Sequence, residues 1–161
     1  MNDREWLETM WHDHAGKVYA YAARRVGRDA ADDVVADTFV VAWRNRTTRP
    51  SRELPWRYGV ARRVITDRRR AGERFAGLVD RMAIHERPGA ADASERVAAL
   101  AALERLGDED REILLLSAWE GLGSADAAGA LGITAPSYRM RLSRARRRLL
   151  RAMDNERGDT P

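Results

Sequence analysis

The stretch SADAAGALGITAPSYRMRL, residues 124–142, decides how this chain is read. Ser124 is a suitable N-cap for a short helix. Ala125, Ala127, Ala128 and Ala130 make that helix slim, so a second helix can approach it closely. Gly132 stands where the first helix must stop and the chain must turn, a position that favours a residue free to adopt positive φ. Ile133 plugs the turn. Thr134 caps a second helix, and Pro136 falls within its first turn, where a missing N–H costs nothing. Tyr138 and Leu142 are four residues apart and should face a core. Ser137, Arg139, Met140, Arg141, Ser143 and Arg144 are left on the outside. The pattern is that of a helix-turn-helix, whose second helix offers its N-terminal half to the DNA major groove. An arginine there can grip guanine O6 and N7 as a fork, worth roughly 1–3 kcal/mol of discrimination. Arg146, Arg147, Arg148 and Arg151 suit phosphate contacts or solvated charge. A plain helical hairpin with an arginine-rich surface would satisfy the same residues.

The rest of the chain is also helical by its periodicity. Period-two alternation is missing, and six or seven helices are predicted. The first spans about Asn2 or Asp3 to Ala23, with a break expected near His14–Gly16. It carries Trp6, Leu7, Met10, Trp11, Val18, Tyr19 and Ala22. The second spans Ala30–Arg44, with Val35, Phe39, Ala42 and Trp43 on a buried face and Asp33, Asp37 and Arg44 on or beside the opposite one. Pro50 and Pro55 mark Asn45 to Pro55 as a loop. A third helix runs from Trp56 to about Arg70, with Trp56, Val60 and Val64 facing a core. Residues 71–94 lack sustained periodicity and read as a linker, with a short helix at Phe75–Ile84 as an option. Val97, Leu100, Leu103 and Leu106 mark the next helix, and Asp108 is placed to cap the one after it. The fold class expected is all-α, with two small helical domains, residues 1–72 and 95–153, joined by a linker at 73–94 and followed by a polar tail at 154–161.

Charge is distributed in blocks. The 161 residues carry a net charge of +4, and Lys17 is the sole lysine. Residues 44–74 hold eleven arginines against three acids, and residues 136–151 hold seven arginines and no acid. Each basic block follows an acidic segment. Two basic blocks on helical segments suggest two contacts with a polyanion, although a GC-rich genome also enriches arginine.

Several function classes are excluded or disfavoured. There is no cysteine, so disulfide frameworks, thiolate metal sites and cysteine catalysis are absent. His12 and His14 are two apart and share no helix face, and Gly121-Leu122-Gly123 lacks the strand and lysine of a phosphate loop. No catalytic constellation, cofactor site or metal site is expected. Met1 to Trp11 carry acids and no secretory run, and no apolar stretch nears the ~20 residues of a membrane span. A cytoplasmic, nucleoid-associated protein is expected. A free-standing helix-turn-helix repressor, dimeric on a palindrome, and a helical adaptor binding another regulator remain open on these residues alone.

Three blocks resemble a known family. Residues 31–44, ADDVVADTFVVAWR, resemble the region 2 helix of extracytoplasmic-function (ECF) sigma factors of the sigma-70 family. Residues 55–63, PWRYGVARR, resemble the next helix of that region. Leu106 through Leu150, with REILLL at 111–116, WEGL at 119–122 and RLSRAR at 141–146, resembles region 4. The arginine-for-lysine habit points to an actinobacterial source. The resemblance implies a sigma factor that joins core RNA polymerase and directs promoter-specific initiation, with no enzymatic activity of its own. It implies that Asp33, Asp37, Thr38, Val41 and Arg44 dock on the β′ clamp helices. It implies that Arg46, Thr48, Arg49, Arg52, Arg57, Arg62, Arg63 and Arg69 take the minus-ten element, where arginine planes and aromatic faces suit unstacked bases. It further implies that Ser137, Arg139, Met140, Arg141, Ser143 and Arg144 read the minus-thirty-five element as duplex. The polymerase β flap, promoter DNA and an anti-sigma factor are the other partners implied, with no small-molecule substrate. Departures from the family pattern are Arg57 and Arg63, where leucine or tyrosine and asparagine are common, Tyr138, and Gly123-Ser124.

Overall fold

In the computed structural model of the chain, which describes residues 1–75, 77 and 93–158, all regular structure is helical. The chain divides into two compact units, Met1–Ile84 and His85–Pro161. The short helix expected at Phe75–Ile84 lies, apart from Phe75 and Gly77, outside the described residues.

The first unit contains α1 (Asp3–Val26), α2 (Arg28–Arg44) and α3 (Glu53–Arg70). A capping box starts α1: the Asn2 side chain accepts from Glu5 N–H, and the Glu5 carboxylate accepts from Asn2 N–H. α1 is continuous through Gly16, so the break expected near His14–Gly16 does not occur. Gly27, at φ 85°, ends α1 and starts α2 with no intervening loop. That positive φ is open to glycine at little cost.

The core of this unit joins Trp6, Met10, Val18, Tyr21 and Ala22 of α1 to Val34, Val35, Phe39 and Ala42 of α2 and to Tyr58, Ala61 and Ile65 of α3. Tyr21 and Tyr58 stack with centroids 4.8 Å apart. Trp11 is 50% exposed, its ring inclined at 63° to that of Phe39 with centroids 4.7 Å apart. Two sequence expectations need correction. Trp43 lies at the surface, because the buried face of α2 is centred on Val34, Val35, Thr38 and Ala42, one step away from it. In α3 the buried residues are Arg57, Tyr58, Gly59, Val60, Ala61 and Ile65, whereas Trp56 and Val64 are only half-buried. An arginine thus occupies a core position of α3, and a reading that assigns charge to the outside shifts the helix face.

The second unit contains α4 (Ala93–Arg105), α5 (Asp108–Ala118), α6 (Ser124–Leu131) and α7 (Ala135–Gly158). Its buried residues include Ala102, Leu103, Ile113, Leu116, Ala127, Ala128, Tyr138, Leu142 and Ala145. Val97, expected on the buried face of α4, is exposed. Asp108 is the first residue of α5 and not its cap. Its carboxylate instead accepts from Arg111, whose guanidinium also donates to the Leu103, Glu104 and Leu106 carbonyls at the end of α4. That single side chain satisfies carbonyls that the helix end would otherwise leave open.

Candidate nucleic-acid interface

The second unit builds its exposed arginine face from the turn outward. Gly123, with Ser124 as the first helical residue, occupies the N-cap of α6, and no side chain caps it. Gly132 adopts the left-handed conformation, φ 69° and ψ 31°, and its N–H closes on the Gly129 carbonyl. The Ile133 N–H reaches the Ala128 carbonyl at 3.0 Å, completing a tight C-terminal turn. Thr134 then starts α7: its Oγ1 accepts from Ser137 N–H at 3.3 Å and its carbonyl from Tyr138 N–H at 2.9 Å. The phase of α7 is fixed by these bonds.

Tyr138 is the largest fully buried side chain described in α7. Its hydroxyl donates to the Ile113 carbonyl at 3.0 Å, and burial raises its pKa. With Tyr138, Leu142 and Ala145 facing inward, Arg139, Met140, Ser143 and Arg144 are exposed, and Ser137 and Arg141 are half-buried at the rim. The six residues expected to read the minus-thirty-five element therefore lie together, away from the core. Glu109 and Asp110 lie at the start of α5, where the helix dipole and capping alone would account for an acidic first turn, but they bond Arg141 and Arg148. The separations of 32 and 38 residues leave no spacing signal by which a sequence could announce them.

In the first unit, residues 45–52 form a loop closed by Arg46 N–H to the Trp43 carbonyl (3.2 Å) and Thr48 N–H to the Asn45 carbonyl (3.0 Å). Arg46, Thr48, Arg49 and Arg52 gather there. Asp3 binds the loop to the start of α1, accepting from Arg46 Nε and from Arg49 Nη2, both at 3.0 Å. Arg46 also lies over the Trp43 ring at 4.4 Å, and Arg49 near the Trp6 ring at 5.0 Å. These are cation–π distances. Arg62, Arg63 and Arg69 are exposed along α3.

Arg57 does not join them. Its side chain is 0% exposed, one turn after Glu53, with which it pairs at 3.6 Å. The Trp6, Phe39 and Trp56 rings surround it at 5.9–6.0 Å. Among the described residues, none of its three guanidinium nitrogens makes a hydrogen bond. Burial lowers its pKa to about 10, against a smaller opposing effect of Glu53. Glu53 also accepts from Trp6 Nε1 at 3.0 Å and faces His14 Nε2 at 3.6 Å. A fully buried Arg57 cannot touch DNA from this fold, and its expected place in the minus-ten group is withdrawn.

The acidic face of α2 is partly as expected. Asp33, Asp37 and Arg44 are exposed and Val41 is half-buried. Thr38 is not available to a partner: it is 0% exposed and its hydroxyl donates to the Val34 carbonyl at 2.7 Å. Asp37 is held by Arg68 at 2.7 Å, and the same guanidinium binds Glu73 at 3.1 Å. The hydrogen bond to Asp37 raises the Arg68 pKa. Among the described residues there is no cluster of three or more His, Cys, Asp or Glu that could hold a metal, and no helix long and apolar enough to cross a membrane.

The two arginine-bearing units each match a known family pattern. Residues 10–75 match Sigma-70 region 2, and residues 96–149 match Sigma-70, region 4. Over 154 residues the chain is 32% identical to the ECF RNA polymerase sigma factor SigL of Mycobacterium tuberculosis, covering 89% of this chain and 86% of SigL. The fold is similar to that of the sigma factor RpoE of Bartonella quintana, solved in complex with the anti-sigma factor NepR, at TM-score 0.67 and 23% identity over 91% of this chain and 96% of that one. It is also similar to CnrH, solved in complex with the cytosolic domain of CnrY, at TM-score 0.64 and 27% identity over 98% of this chain and 91% of that one. With both regions present in order and a relative matched over nearly its whole length, the chain belongs to the ECF group of the sigma-70 family: it is an RNA polymerase sigma factor, a DNA-recognition protein that directs promoter-specific transcription initiation.

Proposed function

We propose that the two units divide promoter recognition between them. Residues 1–72 bind core polymerase and take the minus-ten element, and residues 95–153 read the minus-thirty-five element as duplex. The observation that carries the reading is the outward face of α7. Arg139, Met140, Ser143 and Arg144 project from a helix whose opposite face is locked by Tyr138, Leu142 and Ala145. A fixed helix presenting arginine forks and short polar side chains is what major-groove readout needs. In the first unit the loop residues Arg46, Thr48, Arg49 and Arg52, with Arg62, Arg63 and Arg69 on α3, guide the separated minus-ten strand. Asp33, Asp37, Val41 and Arg44 on α2 dock on the β′ clamp helices, and the second unit meets the β flap. The linker at 73–94 threads toward the polymerase active-site cleft and RNA exit path in this reading.

Complexes such as RpoE with the anti-sigma factor NepR support an anti-sigma factor as the regulator of this chain also. The place of work is the cytoplasm, on the nucleoid.

The test is binding of a fluorescent promoter library, with run-off transcription, in the presence and absence of core polymerase. Promoter binding and transcripts are expected only with core, and the enriched sequences give both elements. Selection of one palindromic duplex by the chain alone, indifferent to core, would overturn the reading in favour of a conventional repressor or activator.

A further inference from the structure

The side of α7 that turns toward the start of α5 meets carboxylates. Glu109 Oε1 accepts from Arg141 Nη1, and Asp110 Oδ2 accepts from Arg148 Nη1 at 2.7 Å. Arg144 lines the same groove beside Ile113. Arg141, Arg144 and Arg148 fall at i, i+3 and i+7, a single stripe of the helix. Two of the seven arginines between residues 136 and 151 thus have their charge neutralised within the unit itself.

The geometry of the Arg141 pair is specific. Glu109 engages only Nη1, and no hydrogen bond of the unit engages the Nε–Nη2 edge among the described residues. That edge is the side-on fork that fits guanine O6 and N7. A phosphate attracts an arginine through net charge, with release of counterions. A base edge is neutral and needs correctly aimed donors instead. An arginine already paired with a carboxylate has lost most of its pull on phosphate and kept its fork. The Asp110 pair neutralises a second arginine. Its acid is the anchored partner, 16% exposed against 56% for Arg148. The first unit repeats the arrangement, with Asp3 holding both Arg46 and Arg49.

We propose that Glu109 and Asp110 are specificity-determining residues of this sigma factor: by neutralising Arg141 and Arg148 they suppress charge-only binding to arbitrary DNA, and Glu109 aims the free fork of Arg141 at a base. The inference rests on α7 being the DNA-reading helix. Both acids act through arginines and touch no DNA themselves.

The test uses the full chain with Glu109→Gln, Asp110→Asn and both together. Gln and Asn keep an oxygen able to accept from the arginines, so the brace between α5 and α7 is retained while the charge is lost. Affinity for a non-promoter duplex is measured for the chain alone across salt concentrations. Promoter and non-promoter affinities are then compared for the holoenzyme. Each freed arginine should steepen the slope of log K against log salt by about 0.9, so the double variant by about 1.8. Over a fourfold fall in salt this is a roughly tenfold larger gain in non-promoter affinity, and the promoter to non-promoter ratio of the holoenzyme should fall by a similar factor. An unchanged slope would overturn the proposal and leave the pairs as simple braces. So would an equal steepening in Asp29→Asn/Asp32→Asn, which adds the same charge in the other unit, or a rise in promoter affinity that keeps the ratio constant. Arg139→Ala with Met140→Ala separates the premise: if that holoenzyme still selects the same minus-thirty-five sequence, α7 is not the reader, whatever the acids do.

Discussion

The two units hold their arginines in opposite ways. Among the described residues of the second unit the core is apolar apart from the Tyr138 phenol, and the α7 arginines at positions 139–151 stay at the surface, two of them in carboxylate pairs. In the first unit Arg24, Arg25 and Arg57 are buried. Arg25 is well provided for: it lies 3.5 Å over the Tyr21 ring and donates to the Tyr21 carbonyl. Arg57 is not, with an acid at 3.6 Å and no hydrogen bond. Burying a charge without full hydrogen bonding costs several kcal/mol. The first unit therefore carries an internal electrostatic cost at Arg57. The comparison teaches that arginine abundance has two structural outcomes in one chain, and that net charge per segment distinguishes neither.

The largest effect should come from breaking the core of the second unit at Tyr138. Tyr138→Ala removes a fully buried ring and the hydroxyl bonded to Ile113, and should cost about 3–5 kcal/mol. Tyr138→Phe keeps the ring and should cost only about 0.5–1.5 kcal/mol. Denaturant unfolding followed by hydrogen exchange in α5 and α7 checks both. A loss of similar size from both variants would mean that the hydroxyl, and not the ring, holds α7 in place.

The next effect runs the other way. Arg57→Leu replaces a buried, poorly compensated cation with an apolar side chain among three aromatic rings, and should raise the melting temperature. The sign with pH agrees. The folded pKa of about 10 lies below the ordinary arginine value, so Arg57 disfavours folding wherever it is charged in both states, below pH 10, and that penalty fades only at more alkaline pH. Thermal melting at pH 7 decides the point. A lower melting temperature for Arg57→Leu would show that Glu53 depends on the guanidinium more than the core suffers from it.

A smaller change tests the turn that phases α7. Gly132→Ala meets no atom within 4 Å of the added Cβ, so its whole cost is backbone strain at φ +69°. That strain is about 1–2 kcal/mol. Gly132→Asn, which tolerates the left-handed region better, should recover part of it. Equal melting temperatures for wild type and Gly132→Ala would show that the turn is free to relax.

How much was legible from sequence follows the same division. The α6–turn–α7 motif is written in residues with narrow conformational meaning: Gly132 at positive φ, Thr134 as a cap, and Tyr138 and Leu142 four apart. Only the N-cap of α6 differs, lying at Gly123 and leaving Ser124 as the first helical residue, a one-residue offset normal for helix ends. In the first unit the helices were legible and their faces were not. Trp43 looks like core and sits at the surface, while Arg57 looks like surface and sits in the core. Periodicity assigns a face by hydrophobicity, and here long side chains with both apolar and polar parts break that assignment. The carboxylate partners Asp3, Glu109 and Asp110 are fixed by tertiary packing alone, and no local pattern encodes them.

The smallest predicted effect sharpens the contrast between the units through pH. His14 lies beside the Arg57–Glu53 pair. Its Nδ1 is buried without a hydrogen bond, and its pKa is lowered, first by burial, then by Arg57, against the opposing pull of Glu53. Lys17 lowers it further and Asp13 raises it, both weakly. With the folded value below the unfolded 6.5, the unfolded chain takes up the proton first as pH falls, so stability present above pH 6.5 is lost below it. The described residues of the second unit contain no histidine. Melting of the first unit, followed by its tryptophans at positions 6, 11, 43 and 56, should therefore weaken between pH 7 and pH 5 in wild type and weaken less in His14→Gln. Arg57→Leu should shrink the same slope, because it removes a cation that disfavours protonated His14, while the cost of burying the charged imidazole remains. A double-mutant cycle across pH measures that coupling. An Arg57→Leu slope identical to wild type would place the whole shift on burial and leave the buried arginine electrically silent toward its nearest titrating neighbour.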